Sequence, residues 1–129
     1  MAREIIQSPL APKALGPYAQ AVKHQGLLFL SGQLGLDPET GALKGDDVLS
    51  QTRQALSNLA AVCAEANTHL HHALKLTLFL RDLNQFGIVN DLLANTLKQP
   101  YPARSTVEVS RLPKDALIEI DAIVAVDAG

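Results

Sequence analysis

Residues 117–126, LIEIDAIVAV, decide how this chain folds. Side chains of a β-strand alternate between the two sheet faces, so this stretch predicts a strand with one continuous apolar face. That face, which should lie under helices, consists of Ile118, Ile120, Ala122, Val124 and Val126. The opposite face mixes Glu119 and Asp121 with Ile123, and a face open to water would be more polar. We therefore expect it to contact another copy of the chain.

Two amphipathic helices are predicted upstream of this strand. Apolar residues recur at helical spacing over residues 47–66, and again from Asp82 or Asn84, either of which can cap a helix, to about Leu97. The first stripe contains Leu56, Leu59, Cys63 and Ala66, and the second contains Phe86, Val89, Leu93 and Leu97. Each helix can therefore bury one side against a sheet.

Five further segments predict strands, over residues 3–6, 19–24, 27–32, 73–80 and 104–109. The turn at Gln25-Gly26 predicts a hairpin of the second and third strands. A short polar segment containing Pro113 joins the last two strands, which predicts an antiparallel hairpin there. Within residues 73–80, Phe79 falls on the face that we expect to meet another subunit.

This order of elements predicts an α/β (α+β) fold, with a mixed sheet of about six strands and two helices packed on one face. The chain has 129 residues, which is typical of one domain, so we expect a single domain over residues 1–129. Hydrophobic residues make up 47% of the chain and charged residues 19%, which favours an ordered globular protein over a disordered one.

Charge and cysteine content exclude several classes of partner and location. The formal net charge is -2 and no run of Lys and Arg stands out, so nucleic acid is not expected as a partner. Cys63 is the only cysteine and cannot form an internal disulfide. The start MAREIIQS does not resemble a signal peptide, and no stretch approaches the length of a membrane span. These features predict a cytoplasmic protein without a membrane partner.

Arg104, Thr106 and Glu119 are the strongest candidates for chemistry. Arg104 begins a strand after Pro102, and a guanidinium so placed can bind a carboxylate through two parallel hydrogen bonds. Its alternative role is a surface salt bridge. Glu119 lies opposite the core face, where partial burial would raise its pKa and suit proton transfer, or it is simply a solvated strand residue. Thr106 shares a face with Arg104, and convergence of all three depends on the register of the last hairpin.

Other polar residues give weaker signals. Tyr18 and the pair Ser31-Gly32 can supply hydroxyl and backbone groups to a small ligand, although both sequences are also common in turns and strand ends. Three histidines lie close together at positions 69, 71 and 72, but no acidic residue or cysteine stands at a familiar ligand spacing, so we expect no metal site. Cys63 belongs to a helical apolar stripe, where a thiol packs as a small hydrophobe.

Several ordered motifs together resemble those of one known family. They are GPYAQAV at 16–22, FLSGQLGLDPETG at 29–41, QTRQALSNL at 51–59, KLTLFLRDLNQFGIVN at 75–90 and PARSTVEVSRLPKDALIEIDAIV at 102–124. In these motifs, and along nearly its whole length, the chain resembles the RidA family, also called YjgF. The last motif matches the family signature in Arg104, Leu112-Pro113 and the Glu119 segment.

The resemblance implies a fold similar to chorismate mutase and a homotrimer with ligand sites in the clefts between subunits. It implies hydrolysis of 2-aminoacrylate-like enamines and imines to 2-keto acids and ammonia, with no cofactor. Arg104 then corresponds to the carboxylate-binding arginine and Glu119 to the residue that positions the attacking water. The resemblance also implies a set of ligand-lining residues, namely Tyr18, Ser31, Gly32 and Asn90.

Thr106 departs from the family pattern, because many members have cysteine at this position. A hydroxyl can still line the site, but a role that needs a thiol is lost, and substrate preference can shift. Two other functions remain open at this point. One is a trimeric sensor or carrier of 2-keto acids. The other is the ribonuclease activity attached to some family members, which the acidic charge balance disfavours.

Overall fold

A computed structural model describes residues 2–127 of the chain, and the fold in this range is built on a mixed sheet. Its six strands there are β1 (Glu4–Ile6), β2 (Ala21–His24), β3 (Leu27–Leu34), β4 (Ala73–Leu80), β5 (Ala103–Glu108) and β6 (Ile118–Ala125). Their order across the sheet is β1-β2-β3-β6-β4-β5. The neighbouring strands β4 and β5 run parallel, and the other pairs are antiparallel. The predicted mixed sheet is confirmed.

Two helices, α1 (Val48–Glu65) and α2 (Phe86–Thr96), lie close to their predicted bounds. The Asp47 carboxylate caps α1 by accepting a hydrogen bond of 2.9 Å from the Ser50 N–H. Asp82 accepts a similar bond from the Asn84 N–H and begins a short 3₁₀ turn that leads into α2. Within residues 2–127, no helix combines the length and apolarity that a membrane crossing requires.

The apolar face of β6 packs against α1, and both helices share one buried core with it. All five of its predicted core residues are buried, each at most 7% exposed, and they form one cluster with the helix stripes. Buried members of those stripes are Leu56, Leu59, Cys63, Ala66, Val89, Leu93 and Leu97. Phe86, the first residue of the α2 stripe, is only partly buried. Each fully buried Leu or Ile side chain contributes roughly 1.5–3 kcal/mol by leaving water.

The hairpin of β2 and β3 is confirmed, and β3 then changes its side-chain parity. The turn places Gln25 and Gly26 at φ values of 50° and 78°, as a tight hairpin turn requires. Further along β3, Leu30 pairs with Ala122 and Gln33 pairs with Ile120. β3 thus advances by three residues where β6 advances by two, so a bulge falls at residues 31–32.

The predicted hairpin of the last two strands is wrong. β5 pairs in parallel with β4 at the edge of the sheet, and β6 lies between β3 and β4. The sequence of β5, ARSTVE, leaves most of its residues exposed, so it suits an edge. β6 has a completely buried face and suits a central position. The pairing of these strands therefore depends on how deeply each can be buried, and not on their closeness in the sequence.

Phe79, which we expect at a subunit contact, is partly covered by its own chain. The connection from β5 to β6 crosses the sheet face opposite the helices. There Leu112 and Ala116 form a small buried cluster with Leu34. Phe79 packs against this small cluster. On the same sheet face Phe29 and Val107 remain 43% and 42% exposed, and the expectation of a second copy depends on these two residues.

Candidate functional site

Arg104 is held in place by α2 at the edge of the sheet. It lies beside Leu76 of β4 and therefore projects from the helix-covered face. Its Nη1 donates a hydrogen bond of 2.8 Å to Asn90 Oδ1, and its Cζ lies 4.9 Å from the centre of the Phe86 ring. Among residues 2–127 no acidic side chain forms a salt bridge with Arg104. The guanidinium is thus oriented and keeps donors for an external anion.

A cavity of about 370 Å³ opens beside Arg104. Its other polar side chains are Asn90, which already accepts from Arg104, and Tyr101, whose hydroxyl donates to the Ala94 carbonyl at 3.3 Å. The rest of its wall is apolar and consists of Leu76, Leu93, Ala94, Leu97 and Pro102. An apolar cavity with a cation at its edge suits a small molecule that carries a carboxylate.

Thr106 shares the helix-covered face with Arg104, because it lies beside the buried Leu78 of β4. Its Oγ1 is buried and has no hydrogen-bond partner within the described part of the chain. A buried hydroxyl without a partner costs roughly 1–3 kcal/mol. The Thr106 hydroxyl therefore has an unused hydrogen-bonding capacity, although Thr106 is not among the residues that line the cavity beside Arg104.

Glu119 belongs to a second cluster. It lies beside Phe79 of β4 and Leu34 of β3, on the face opposite the helices. Burial raises the pKa of its carboxyl group, and the negative charge of Asp121 on the same strand raises that pKa further. A carboxyl with a raised pKa can take and release a proton closer to neutral pH.

Three predicted ligand-lining residues share a cavity of about 500 Å³ with Glu119: Tyr18, Ser31 and Gly32. The Ser31 hydroxyl donates to the Ala19 carbonyl at 2.6 Å. At Gly32 a Cβ atom would collide with the Glu119 side chain, so only glycine leaves that carboxylate its place. Tyr18 is 54% exposed and stands at the rim.

The Gln20 side chain fixes the loop that carries Tyr18. Its Oε1 accepts a hydrogen bond of 2.6 Å from the Ser8 N–H, and its Nε2 donates to the Pro12 carbonyl at 2.8 Å. Gln20 is only 3% exposed, so these bonds are shielded from water. The loop over residues 7–20 is thus held in place without regular secondary structure.

The structure divides the predicted site residues between the two sheet faces. Arg104, Asn90 and Thr106 form one cluster, whereas Glu119 lies in the other with Tyr18, Ser31 and Gly32. The sequence analysis raised the possibility that Arg104, Thr106 and Glu119 come together. Within one chain they do not. Its premise was the hairpin register of the last strands, and those strands are not paired.

Sequence reasoning missed four side chains of these clusters. Phe86 supports the Arg104 guanidinium, although its helical spacing had placed it in the core stripe. Tyr101 lines the Arg104 cavity, and Lys13 and Lys114 line the Glu119 cavity. Lys114 had a signal, because it follows Leu112-Pro113 in the family signature. Tyr101 and Lys13 had none.

Within residues 2–127 neither the histidines nor the cysteine forms a metal site or a reactive thiolate. The rings of His69 and His72 meet edge to face at 5.8 Å between centroids. In residues 2–127 no three or more His, Cys, Asp or Glu side chains gather closely enough to hold a metal ion. Burial raises the pKa of the Cys63 thiol to about 11, so this cysteine carries little thiolate at neutral pH.

Comparison with known proteins gives a family match over most of the chain. Residues 8–126 match the family described as Endoribonuclease L-PSP. A RutC family protein of Pyrococcus abyssi is 44% identical over 95% of this chain and 97% of its own length. A protein of Dermatophagoides farinae named 2-iminobutanoate/2-iminopropanoate deaminase is 37% identical over 97% of this chain and 98% of its own.

Solved structures share the fold. A Rid family protein of Yersinia pestis, described as of unknown function, superposes with a TM-score of 0.94 at 45% identity, over 97% of this chain and 100% of that one. E. coli TdcF with bound serine superposes with a TM-score of 0.89 at 38% identity, over 96% of this chain and 99% of that one.

Proposed function

The chain belongs to the RidA family, and from that membership we propose that it hydrolyses enamine and imine intermediates of the 2-aminoacrylate type to 2-keto acids and ammonia. Imine deaminases occur among its relatives, since the Dermatophagoides farinae protein bears that name. A small amino acid as ligand also has a parallel in the serine bound to TdcF.

The observation that carries the proposal is the state of Arg104. Its guanidinium is oriented by Asn90 and Phe86, faces an open cavity and has no salt-bridge partner within residues 2–127. A surface arginine in a structural ion pair would instead contact a carboxylate of its own chain. A 2-imino acid supplies the missing carboxylate, and two parallel hydrogen bonds would fix its orientation.

We place the complete site between copies of the chain in a homotrimer. Arg104 and Glu119 project from opposite sheet faces, so one copy supplies the carboxylate-binding group and its neighbour supplies Glu119. The exposed Phe29 on the Glu119 face supports a contact with another subunit. Light scattering at micromolar concentration tests the assembly, and a monomer would remove this support.

In the proposed mechanism Arg104 binds the carboxylate of the imine and Glu119 of the neighbouring copy holds a water molecule. The water oxygen attacks the protonated imine carbon while the C=N electron pair moves to nitrogen, and Glu119 takes a proton from the water. Glu119 then protonates the amino nitrogen. The C–N bond breaks with its electron pair on nitrogen as the hydroxyl becomes a carbonyl, and the hydroxyl proton passes through Glu119 to the departing ammonia, so ammonium and the keto acid leave and the Glu119 carboxylate is restored. In this proposal Thr106 Oγ1, which has no partner within residues 2–127, hydrogen-bonds the bound intermediate.

A coupled assay tests this function. A threonine dehydratase releases the enamine, and the purified protein should speed the appearance of 2-oxobutyrate. Arg104→Ala should abolish the gain, whereas Arg111→Ala, at an exposed arginine outside both clusters, should retain it. No acceleration by the unaltered protein would refute the proposal.

Mixing two inactive variants tests the site between copies. Random trimers of Arg104→Ala and Glu119→Ala chains contain intact Arg104 facing intact Glu119 at about one quarter of their interfaces. We therefore expect about one quarter of the unaltered activity after the two chains are refolded together. A site contained within one chain would give none.

A 2-keto acid sensor or carrier is the second candidate, because serine occupies the related TdcF and binding alone needs only the Arg104 cluster. Calorimetry with 2-oxobutyrate separates the two functions. Affinity that survives Glu119→Ala, together with no turnover by the unaltered protein, would favour the sensor.

A further inference from the structure

The cavity beside Arg104 is larger and more apolar than a 2-aminoacrylate molecule requires. Its volume is about 370 Å³, and its inner wall is formed by the buried side chains of Leu76, Leu93 and Leu97. These leucines are packed in the main core, so the wall is rigid. A cavity of this volume falls in the range of drug-sized ligand sites.

The cavity is continuous with the carboxylate-binding group, since Arg104 and Asn90 both line it. Among the described residues 2–127, Arg104 is the only charged residue that lines it. The Tyr101 hydroxyl is engaged by the Ala94 carbonyl, which leaves the ring to face the cavity. A ligand whose carboxylate binds Arg104 therefore has an apolar space within reach of its substituent.

We propose that this cavity binds the side chain of the imine, and that the protein prefers imines of leucine-like amino acids to those with one-carbon side chains. The proposal rests on the imine deaminase function above and names its substrate class. Each additional methylene that such a cavity buries raises affinity about fourfold. A leucine-derived imine has three more carbons than an alanine-derived one, so a preference of at least about tenfold is expected.

A bulky residue at Ala94 tests the proposal. Ala94 is exposed on α2 and lines the cavity, so a phenylalanine ring there can occupy the space without entering the core. Asn95 is the next residue of the same helix, is exposed and lines none of the cavities described above, so Asn95→Phe is the matched control. Circular dichroism and thermal melting check that both variants fold.

The quantity to measure is the ratio of kcat/KM for the leucine-derived imine to that for the alanine-derived imine, each generated in situ by an amino-acid oxidase. Ala94→Phe should lower this ratio at least about tenfold, whereas Asn95→Phe should leave it unchanged. An unchanged ratio in folded Ala94→Phe, or an equal fall in Asn95→Phe, would overturn the proposal.

A binding measurement on the unaltered protein gives a second readout. 4-Methyl-2-oxopentanoate should shift the methyl NMR signals of Leu76, Leu93 and Leu97, and pyruvate should shift them much less. Equal shifts with both keto acids, or none, would contradict the subsite even if Ala94→Phe fails to fold. This measurement involves no turnover, so it is independent of the proposed enzyme activity. Methyl shifts with 4-methyl-2-oxopentanoate, together with no hydrolysis of any imine, would refute the proposed enzyme but retain the subsite.

Discussion

The Glu119 side chain lies directly over Gly32, where a Cβ atom would come within 2.8 Å of Glu119 Cδ. Because the obstructing group is the end of a flexible side chain, Gly32→Ala should displace the carboxylate and leave the fold intact. We expect kcat/KM for imine hydrolysis to fall about 10- to 100-fold, since catalysis depends on position. The free energy of unfolding should change by less than about 1 kcal/mol.

Gly87→Ala is the matched control for this prediction. A Cβ atom at Gly87 meets nothing within 4 Å, and the residue lies in α2 outside both clusters. It should leave kcat/KM unchanged. Full activity in Gly32→Ala would show that the position of the Glu119 carboxylate does not matter for the reaction.

Arg104→Lys should weaken substrate binding although it keeps the positive charge. Lysine cannot form the two parallel hydrogen bonds of a guanidinium, and it cannot reproduce the stacking on Phe86. We expect kcat/KM to fall about 10- to 100-fold, which corresponds to a loss of about 1.4–2.7 kcal/mol. Arg111→Lys provides the control, and similar kinetics for Arg104→Lys and the unaltered protein would argue against a bidentate carboxylate.

Thr106→Val should separate ligand binding from stability. The Thr106 hydroxyl has no partner among residues 2–127, so its removal should leave the free energy of unfolding unchanged or raise it by about 1 kcal/mol. Calorimetry should show weaker binding of 2-oxobutyrate. By contrast Thr68 Oγ1 donates to the Ala125 carbonyl at 2.7 Å, and Thr68→Val should cost about 1–2 kcal/mol. A comparable loss in Thr106→Val would reveal a structural role for that hydroxyl.

The acid limb of the pH–rate profile should report the titration of the Glu119 carboxyl group. Its pKa is raised by burial and by Asp121, so activity that needs the carboxylate should fall at a higher pH than for an exposed glutamate. Asp121→Asn removes the like charge and should move the limb to lower pH. Asp127→Asn, at an exposed carboxylate beyond β6, should not move it.

The raised pKa of Glu119 also makes the free energy of unfolding depend on pH in a defined direction. Folding raises the Glu119 pKa, so the native state binds more protons between the unfolded and folded pKa values. The free energy of unfolding should therefore fall as pH rises through that window. Glu119→Gln should remove this dependence, and urea titrations at several pH values would measure it. A steeper fall in the variant would contradict the raised pKa.

Local pattern was enough to predict the helices and most strands. The helix predicted over residues 47–66 is α1 (Val48–Glu65) with Asp47 as its cap, and the alternating stretch after position 117 is β6. Pattern failed for the partner of β5. Strand pairing depends on which segments can be buried together, and that is a property of the whole core.

The sequence by itself determined which residues share a strand face, because alternation in a strand is fixed by backbone geometry. It placed Arg104 with Thr106 and set Glu119 opposite the apolar face of β6. Only the tertiary structure decided that these two sets project from opposite faces of one sheet, that Phe86 and Asn90 hold Arg104, and that Gly32 makes room for Glu119. Those relationships join residues far apart in the chain, and packing alone brings them together.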